Sequence, residues 1–441
     1  MQKTIINDNY EYWYFEKQSE YFSSLEELLA DEYTITDSLH LCVEASKEEK
    51  SILLSYIFVD TIDENIKNTL KALDREYTKV YPNFEYCLIN TIASIRKTYH
   101  GKIEYKTDHH LDEILKENKY KNIIVMLLDG LGEAILEKHL TADSFLKRHH
   151  AYTNTAVYPS TTAASTTATI SGLSPIRTGW LGWSNYFKEI KRNIVLFTGA
   201  DYYTDAPTGF NAYEALPYKP FFHDLNVNGS LHLPDFSKED YAFKSVLKKS
   251  LKNFKRKKVN MQYVYYTQPD SLMHEYGTSD EKVGAILEGI DQDLEWYAKK
   301  LPKNTLLIIS ADHGHVDSEA IDLYACTPLM KMLNRAPAND SRCTTFSVKE
   351  EYRKEFPILF EQLFGYAFEL YSSYDAIHQG FFGSKEDEPC ARAYDFLGDY
   401  VAVAKANYYF NYKGADNFIF KSHHAGITAE EMLVPVIIYR K

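Results

Sequence analysis

"KNIIVMLLDG", residues 121–130, decides the fold. Six apolar residues stand in a row from Ile123 to Leu128, without the alternation of a half-buried strand. The run is too short for a buried helix. Bounded by Lys-Asn on one side and Asp-Gly on the other, it suits a strand covered on both faces, as in a parallel sheet between helices. Three later runs have the same character: "NMQYVYYTQPD" (260–270), "NTLLIISADHG" (304–314) and "LVPVIIY" (433–439). Helical patterns lie between them, "LGEAILEKHLTADSFLKRH" at 131–149 and "EKVGAILEGIDQDLEWYAKKL" at 281–301. Strand–helix alternation on this scale predicts an α/β domain with a mostly parallel central sheet.

The chain has 441 residues, 45% of them hydrophobic and 25% charged, with a net charge of −13. That length fits one large domain with additions or two to three domains. The acidic balance argues against a duplex nucleic acid as partner. The single basic cluster, "KNFKRKK" at 252–258, reads as a solvated helix end. The N-terminal stretch lacks the apolar core of a signal peptide. The longest apolar run, "IIVMLL" at 123–128, cannot span a bilayer. Cys42, Cys87, Cys326, Cys343 and Cys390 are scattered and form no C-x-x-C pair, which predicts reduced thiols in a cytoplasmic protein. Residues 1–84 read as an accessory α/β region, in which Ser23 and Glu26 before Leu29 suggest a capping box. Residues 85–330 and 421–441 form the main α/β domain. Residues 331–420 carry their own alternation and read as a small inserted α/β cap, with Phe381 and Phe382 as candidate pocket contacts.

Ligands of open parallel sheets bind beyond the C-terminal ends of the strands. The first run ends in Asp129. The second ends in Asp270, with His274 four residues on. The third ends in Asp312-His313, and His423-His424 precede the last. Mixed Asp/His sets of this kind suit Zn²⁺ or another divalent transition ion at three or four protein ligands each, enough here for two sites. His315 lies near them, as a residue that supports a ligand, touches the substrate or stands at the surface. The uncharged stretch "YPSTTAASTTATISGLSP" (158–175) completes the set. Pro159 ends an extended segment, and a helix with Ser160 as N-cap follows. A helix N-terminus offers free N–H groups and a favourable dipole to a phosphate oxygen. A Thr hydroxyl in that first turn, acidified by a metal, is a nucleophile.

In this order, "IIVMLLDGLG", "YPSTTAASTTATISGLSPIRTGWLGW", "QPDSLMHEYG" with "SADHGHVD", and "HHAGITAEEMLVPVIIY" resemble the alkaline phosphatase superfamily. They are most similar to its type I phosphodiesterase/nucleotide pyrophosphatase family, in the bacterial soluble form. The resemblance covers about residues 85–441. It implies an alkaline-phosphatase-like fold and two divalent metal ions, Zn²⁺ first and Mn²⁺ second, bridged by the substrate phosphate. It implies that Asp129, Thr162, Asp312 and His313 bind one metal and Asp270, His274 and His424 the other. The family's spacing to Pro159 and Gly172 selects Thr162 over Thr161 as nucleophile. The Gly two residues after the ligand, Gly426, selects His424 over His423, with Ala425 where a Gly is usual. Nucleotide pyrophosphatases carry an Asn three residues after the nucleophile, on the phosphate; this chain has Ser165, taken as a substrate contact. The departure points away from nucleotide pyrophosphatase activity in the narrow sense.

The function expected is hydrolysis of a small-molecule phosphate ester, without membrane or duplex partner, through a phosphothreonine intermediate. Diesters are favoured, because no Lys or Arg lies between Tyr152 and Ile176 to meet the extra charge of a monoester. The alternatives are a phosphomonoesterase, phosphomutase or sulfate or phosphonate hydrolase of the same superfamily, and a non-catalytic metal-binding regulatory protein. Oligomeric state is not legible.

Overall fold

The structure, a computed structural model, describes residues 1–39, 42–56, 66, 76–233, 242–413 and 418–441. The described chain divides into two compact units. One comprises Lys79–Ser318, Ala376–Ala393 and Phe420–Lys441; the other comprises Met1–Thr78, Glu319–Asp375 and Tyr394–Ile419.

The first unit is built on the run that opened the sequence. It forms strand β1 (Asn122–Leu128), buried at all seven positions. Successive side chains of a strand point to opposite faces. Ile124, Met126 and Leu128 therefore enter one apolar core, and Ile123, Val125 and Leu127 enter another. Five more strands complete the sheet: β2 (His150–Thr155), β3 (Asn228–His232), β4 (Asn260–Tyr266), β5 (Thr305–Ser310) and β6 (Leu433–Arg440). Their order is β3-β4-β1-β5-β6-β2. The pairs β3–β4, β4–β1 and β1–β5 are parallel, and β6 is antiparallel to both neighbours. The sheet is thus mostly parallel, as expected. Leu433 starts beside the C-terminal end of β5, where the chain has just delivered His424, so β6 runs back across the sheet.

Helices cover both faces. Helix α1 (Leu88–Thr98) sends Ile92 and Ile95 into the core of Ile123 and Val125. The opposite core receives α2 (Glu133–His139), α4 (Phe243–Lys252) and α6 (Glu281–Lys300); α3 (Thr162–Ser171) and α5 (Asp270–Tyr276) carry site residues. The apolar stripe of α6 is Val283, Leu287, Ile290, Leu294 and Tyr297, a helical repeat of four and three. Burying each such side chain contributes about 1.5–3 kcal/mol. Asp280 caps its N-terminus by accepting from Lys282 N. The pattern at 131–149 gives two short helices rather than one. Ser144 caps the second, Phe145–Arg148, and the Asp291 carboxylate takes Phe145 N and Leu146 N at 2.8 Å each.

The second unit holds a five-stranded sheet in the order Gln2–Asn7, Tyr10–Tyr14, Lys50–Ser55, Cys42–Lys47, Thr34–Leu39. Its helix Gln18–Ala30 begins five residues before the expected capping box at Ser23. Glu26 is mid-helix and accepts instead from Thr327 Oγ1 and from Lys331 Nζ at 3.2 Å. A tertiary partner thus takes the carboxylate that the cap would have used. Strands Ala338–Asp340, Cys343–Phe346, Tyr400–Ala404 and Phe368–Ser372 pair antiparallel in that order. Phe368 stacks on Phe410 with ring centroids 4.1 Å apart. Among the described residues no helix is long and apolar enough to cross a membrane.

Candidate active site

Strands β4, β1 and β5 end side by side: Leu128 pairs with Tyr266, and Leu127 with Ser310. The residues that follow are therefore delivered to one place. Asp129 N donates to Tyr266 O at 2.9 Å, and Asp270 N to Asp129 O at 3.1 Å. The loops of Asp129 and Asp312 approach closely enough that a Cβ on Gly132 would lie 2.4 Å from Gly314 Cα, and one on Gly314 would lie 2.0 Å from Glu430 O. Only glycine fits at such a crossing.

Each acid is half anchored. Asp312 Oδ1 accepts from Gly130 N and His313 N, both at 3.1 Å, and Asp129 Oδ2 accepts from the Tyr265 hydroxyl. The other oxygens, Asp129 Oδ1 and Asp312 Oδ2, are buried without a hydrogen-bond partner. His313 Nε2 lies 3.4 Å from the first and 3.8 Å from the second. Thr162 Oγ1 is 3.2 Å from the same nitrogen. Across from them, His274 Nε2 and His424 Nε2 lie 3.4 and 3.6 Å from Asp270 Oδ1. His424 faces Asp270, while His423 Nδ1 accepts from His424 N at 2.9 Å. The rings of His313 and His424 stack at 3.7 Å.

Thr162 is the first residue of α3 and Thr161 its N-cap, so the helix starts one residue later than a Ser160 cap requires. Ser160 Oγ donates to Gly426 O at 2.8 Å, and Ser160 O accepts from His424 Nδ1 at 3.1 Å. The residue expected as a cap ties the Thr162 loop to the His424 loop. All ten residues of α3 are buried. Thr166, Thr169 and Ser171 return their hydroxyls to the carbonyls of Thr162, Ser165 and Thr167 at 2.6, 2.8 and 2.7 Å. Small hydroxyl residues are what a helix needs to lie buried without orphaned polar groups. Ser165 and Thr167 are exceptions: both are fully buried, and neither hydroxyl has a hydrogen-bond partner. Phe381 and Phe382, expected as pocket contacts, are buried against Tyr158 at ring distances of 5.5 and 5.7 Å. Ala425 sits at φ +93°, the left-handed region where glycine is preferred.

The charges explain what the site accepts. Burial, then the charges of Asp270 and Asp312, pushes the Asp129 carboxyl well above its usual range. Burial likewise raises Asp312. Burial also acts upward on Asp270, but the imidazoles of His274 and His315 outweigh it and hold that carboxyl well below the usual range. Burial, then His313, holds His424 well below the ordinary imidazole value. Two groups of donors lie close enough to share a cation: Asp129, Asp312 and His313, and Asp270, His313, His315 and His424, the donor atoms of each group within 4.8 Å of one another. His274 falls outside the second group, and His315 was given no definite role from sequence. Its only signal there was its place two residues after His313. The unpartnered carboxylate oxygens, and imidazoles whose Nδ1 atoms are occupied by backbone oxygens, fit divalent ions.

Residues 123–426, well over half of the chain, match the type I phosphodiesterase/nucleotide pyrophosphatase family. The chain belongs to this family. As a member of the type I phosphodiesterase/nucleotide pyrophosphatase family it is a hydrolase of phosphate esters, and it carries two clusters of acids and imidazoles that could each hold a metal ion. No curated protein matches it by sequence. Solved structures share its fold. Murine ectonucleotide pyrophosphatase/phosphodiesterase 5 has 16% identity and a TM-score of 0.56, over 72% of this chain and 88% of that one. An inactive threonine-to-alanine variant of that murine protein, in complex with AMP, gives 16% and 0.53, over 72% and 87%. Phosphonoacetate hydrolase from Sinorhizobium meliloti 1021, in complex with phosphonoformate, gives 15% and 0.50, over 72% and 89%.

Proposed function

We propose that this protein is a metal-dependent phosphodiesterase in which Thr162 is the nucleophile. The observation that carries the reading is the Thr162 hydroxyl at the N-terminus of α3, 3.2 Å from His313 Nε2 and beside the unpartnered oxygens of Asp129 and Asp312. Asp129, Thr162, Asp312 and His313 form one ligand set, and Asp270, His274 and His424 the other. When bound, two divalent ions, Zn²⁺ first and Mn²⁺ second, lower the pKa of the hydroxyl and draw charge from the phosphate oxygens.

The chain's own groups do the rest. Backbone N–H groups of the first turn of α3 face the substrate anion. Thr162 Oγ1 forms the bond to phosphorus as the ester oxygen leaves, and water then splits the phosphothreonine and frees the hydroxyl. Ser165, one turn along α3, offers its unpartnered hydroxyl to the phosphate in place of the Asn of nucleotide pyrophosphatases. The inactive threonine variant of the murine relative supports a nucleophilic Thr. Diesters are favoured because Arg177, the first cation after the nucleophile, is engaged with Glu104 at 3.5 Å and Asp387 at 4.0 Å. A cytoplasmic setting is supported by five free cysteines, four of them buried.

A panel of para-nitrophenyl esters tests the reading: the bis-ester, the monoester, a phenylphosphonate and the sulfate, with Zn²⁺, with Mn²⁺ and with chelator. The bis-ester should turn over fastest and chelation should stop it. Preference for the sulfate or phosphonate moves the protein to another branch of the superfamily. Absence of metal-dependent release from every ester overturns the proposal.

A further inference from the structure

His315 is one of the most enclosed polar groups in the first unit, with 1% of its surface exposed. Its Nε2 lies 2.7 Å from Asp270 Oδ1, closer than either His274 or His424. Its Nδ1 lies 3.0 Å from Ser422 Oγ. The proton of that hydroxyl has another destination, because Ser422 Oγ stands 2.7 Å from Met273 O and only the serine has a hydrogen to place between the two oxygens. Ser422 Oγ therefore accepts from His315, and Nδ1 carries the ring proton. In the neutral ring Nε2 then presents a lone pair to a carboxylate oxygen at 2.7 Å. A carboxylate oxygen and an imidazole nitrogen so placed can share one cation, and the donor atoms of Asp270, His313, His315 and His424 all lie within 4.8 Å of one another.

The other three imidazoles share this arrangement. His274 Nδ1 meets Ser422 O at 2.9 Å, His424 Nδ1 meets Ser160 O at 3.1 Å, and His313 Nδ1 meets Gly314 O at 3.0 Å. Each has its Nδ1–H fixed by an acceptor and its Nε2 turned to the carboxylates, the tautomer that metal-binding histidines adopt. Ser422 serves two of them, its carbonyl holding His274 and its hydroxyl holding His315.

We propose that His315 is a fourth protein ligand of the divalent ion at Asp270, beside His274 and His424. The inference rests on the metal-dependent reading above. One Asp and three His make a full set of four for a borderline ion such as Zn²⁺, Co²⁺ or Mn²⁺. With Asp129, Thr162, Asp312 and His313 at the other site, each ion then has four protein donors, and a substrate oxygen enters as a fifth.

The test uses metal-stripped full-length protein titrated with Co²⁺. Wild type should take up two ions, and proton NMR of the loaded protein should show four shifted, exchangeable imidazole N–H signals, for His274, His313, His315 and His424. His315→Ala should lose one of the four, alter the visible Co²⁺ absorption, and weaken one ion by more than the roughly 10–100-fold that an outer partner of a ligand is worth. Three signals in wild type overturn the proposal without recourse to any variant. So does weakening by less than 100-fold in His315→Ala with an unchanged absorption spectrum. Uptake of fewer than two ions by wild type overturns the metal-dependent reading itself, and this inference with it.

Discussion

At the scale of single residues, two adjacent threonines stand in different surroundings. Thr162 opens α3 with its hydroxyl at 3.2 Å from His313 Nε2, while Thr161 holds the extended N-cap conformation, with φ −139° and ψ 151°. Thr162→Ala should lower turnover by roughly 10³-fold or more, because the positioned nucleophile is gone while the binding groups remain. Its metal content should stay near that of wild type, since Asp129, Asp312 and His313 are intact. Thr161→Ala should keep most of the rate. Steady-state kinetics on a diester with elemental analysis of both variants checks this. A dead Thr161→Ala beside an active Thr162→Ala would move the nucleophile by one residue. The sequence named both threonines as candidates from local pattern, and family spacing chose between them.

At the scale of elements, the short helix α7 (Ala429–Met432) locks the loops after His313 and His424 together. Its Glu431 is fully buried. Its carboxylate accepts from Gly426 N and Thr428 Oγ1 at 2.7 Å each and from Thr428 N at 3.3 Å. Its backbone carbonyl accepts from Gly314 N at 2.8 Å. One residue thus fixes the loop after His424 by its side chain and the loop after His313 by its backbone. In Glu431→Gln the amide N–H₂ must face a backbone donor, Gly426 N or Thr428 N, on whichever side it is placed. The substitution should cost about 1.5–3 kcal/mol per hydrogen bond lost to the charged group. Thermal melts should show the loss, and metal titration should show weaker binding in the same variant, because His424 is no longer held. Unchanged metal affinity would confine Glu431 to a role in stability. A Glu five residues after a loop Gly gives no such signal in sequence, where Thr428 and Glu431 read as an ordinary cap.

At the scale of the whole molecule, burial makes the ionised Asp129 carboxylate unfavourable to the fold. Asp129 has its folded-state pKa raised by burial and by its acidic neighbours. A carboxyl raised above its unfolded value of about 3.9 has its favourable contribution in full below that pH. The contribution is lost as pH rises through the folded value. Metal-free Asp129→Asn should therefore melt above metal-free wild type at pH 7.5, with the gap narrowing toward pH 4. With metal present the order should reverse, because the variant has lost a ligand. Melting curves in chelator and in Zn²⁺ at both pH values decide it; a variant that melts below wild type in chelator at pH 7.5 contradicts the electrostatic account.

The sequence by itself determined the layered α/β core, because an unbroken apolar run such as Ile123–Leu128 has only one stable environment, a strand covered on both faces. It also determined which acids and imidazoles end the strands, since Asp129, Asp270 and Asp312-His313 follow those runs directly. Tertiary structure decided what local pattern cannot encode. The reversed direction of β6 follows from where the His424 loop delivers Leu433. Ser160 left the capping position for Gly426 O, and Glu26 left its expected cap for Thr327 and Lys331, because distant partners satisfied them better. His315 stood two residues from a motif histidine with nothing to distinguish it. Its place beside Asp270 exists only because Ser422, far along the chain, supplies the acceptor that turns its ring.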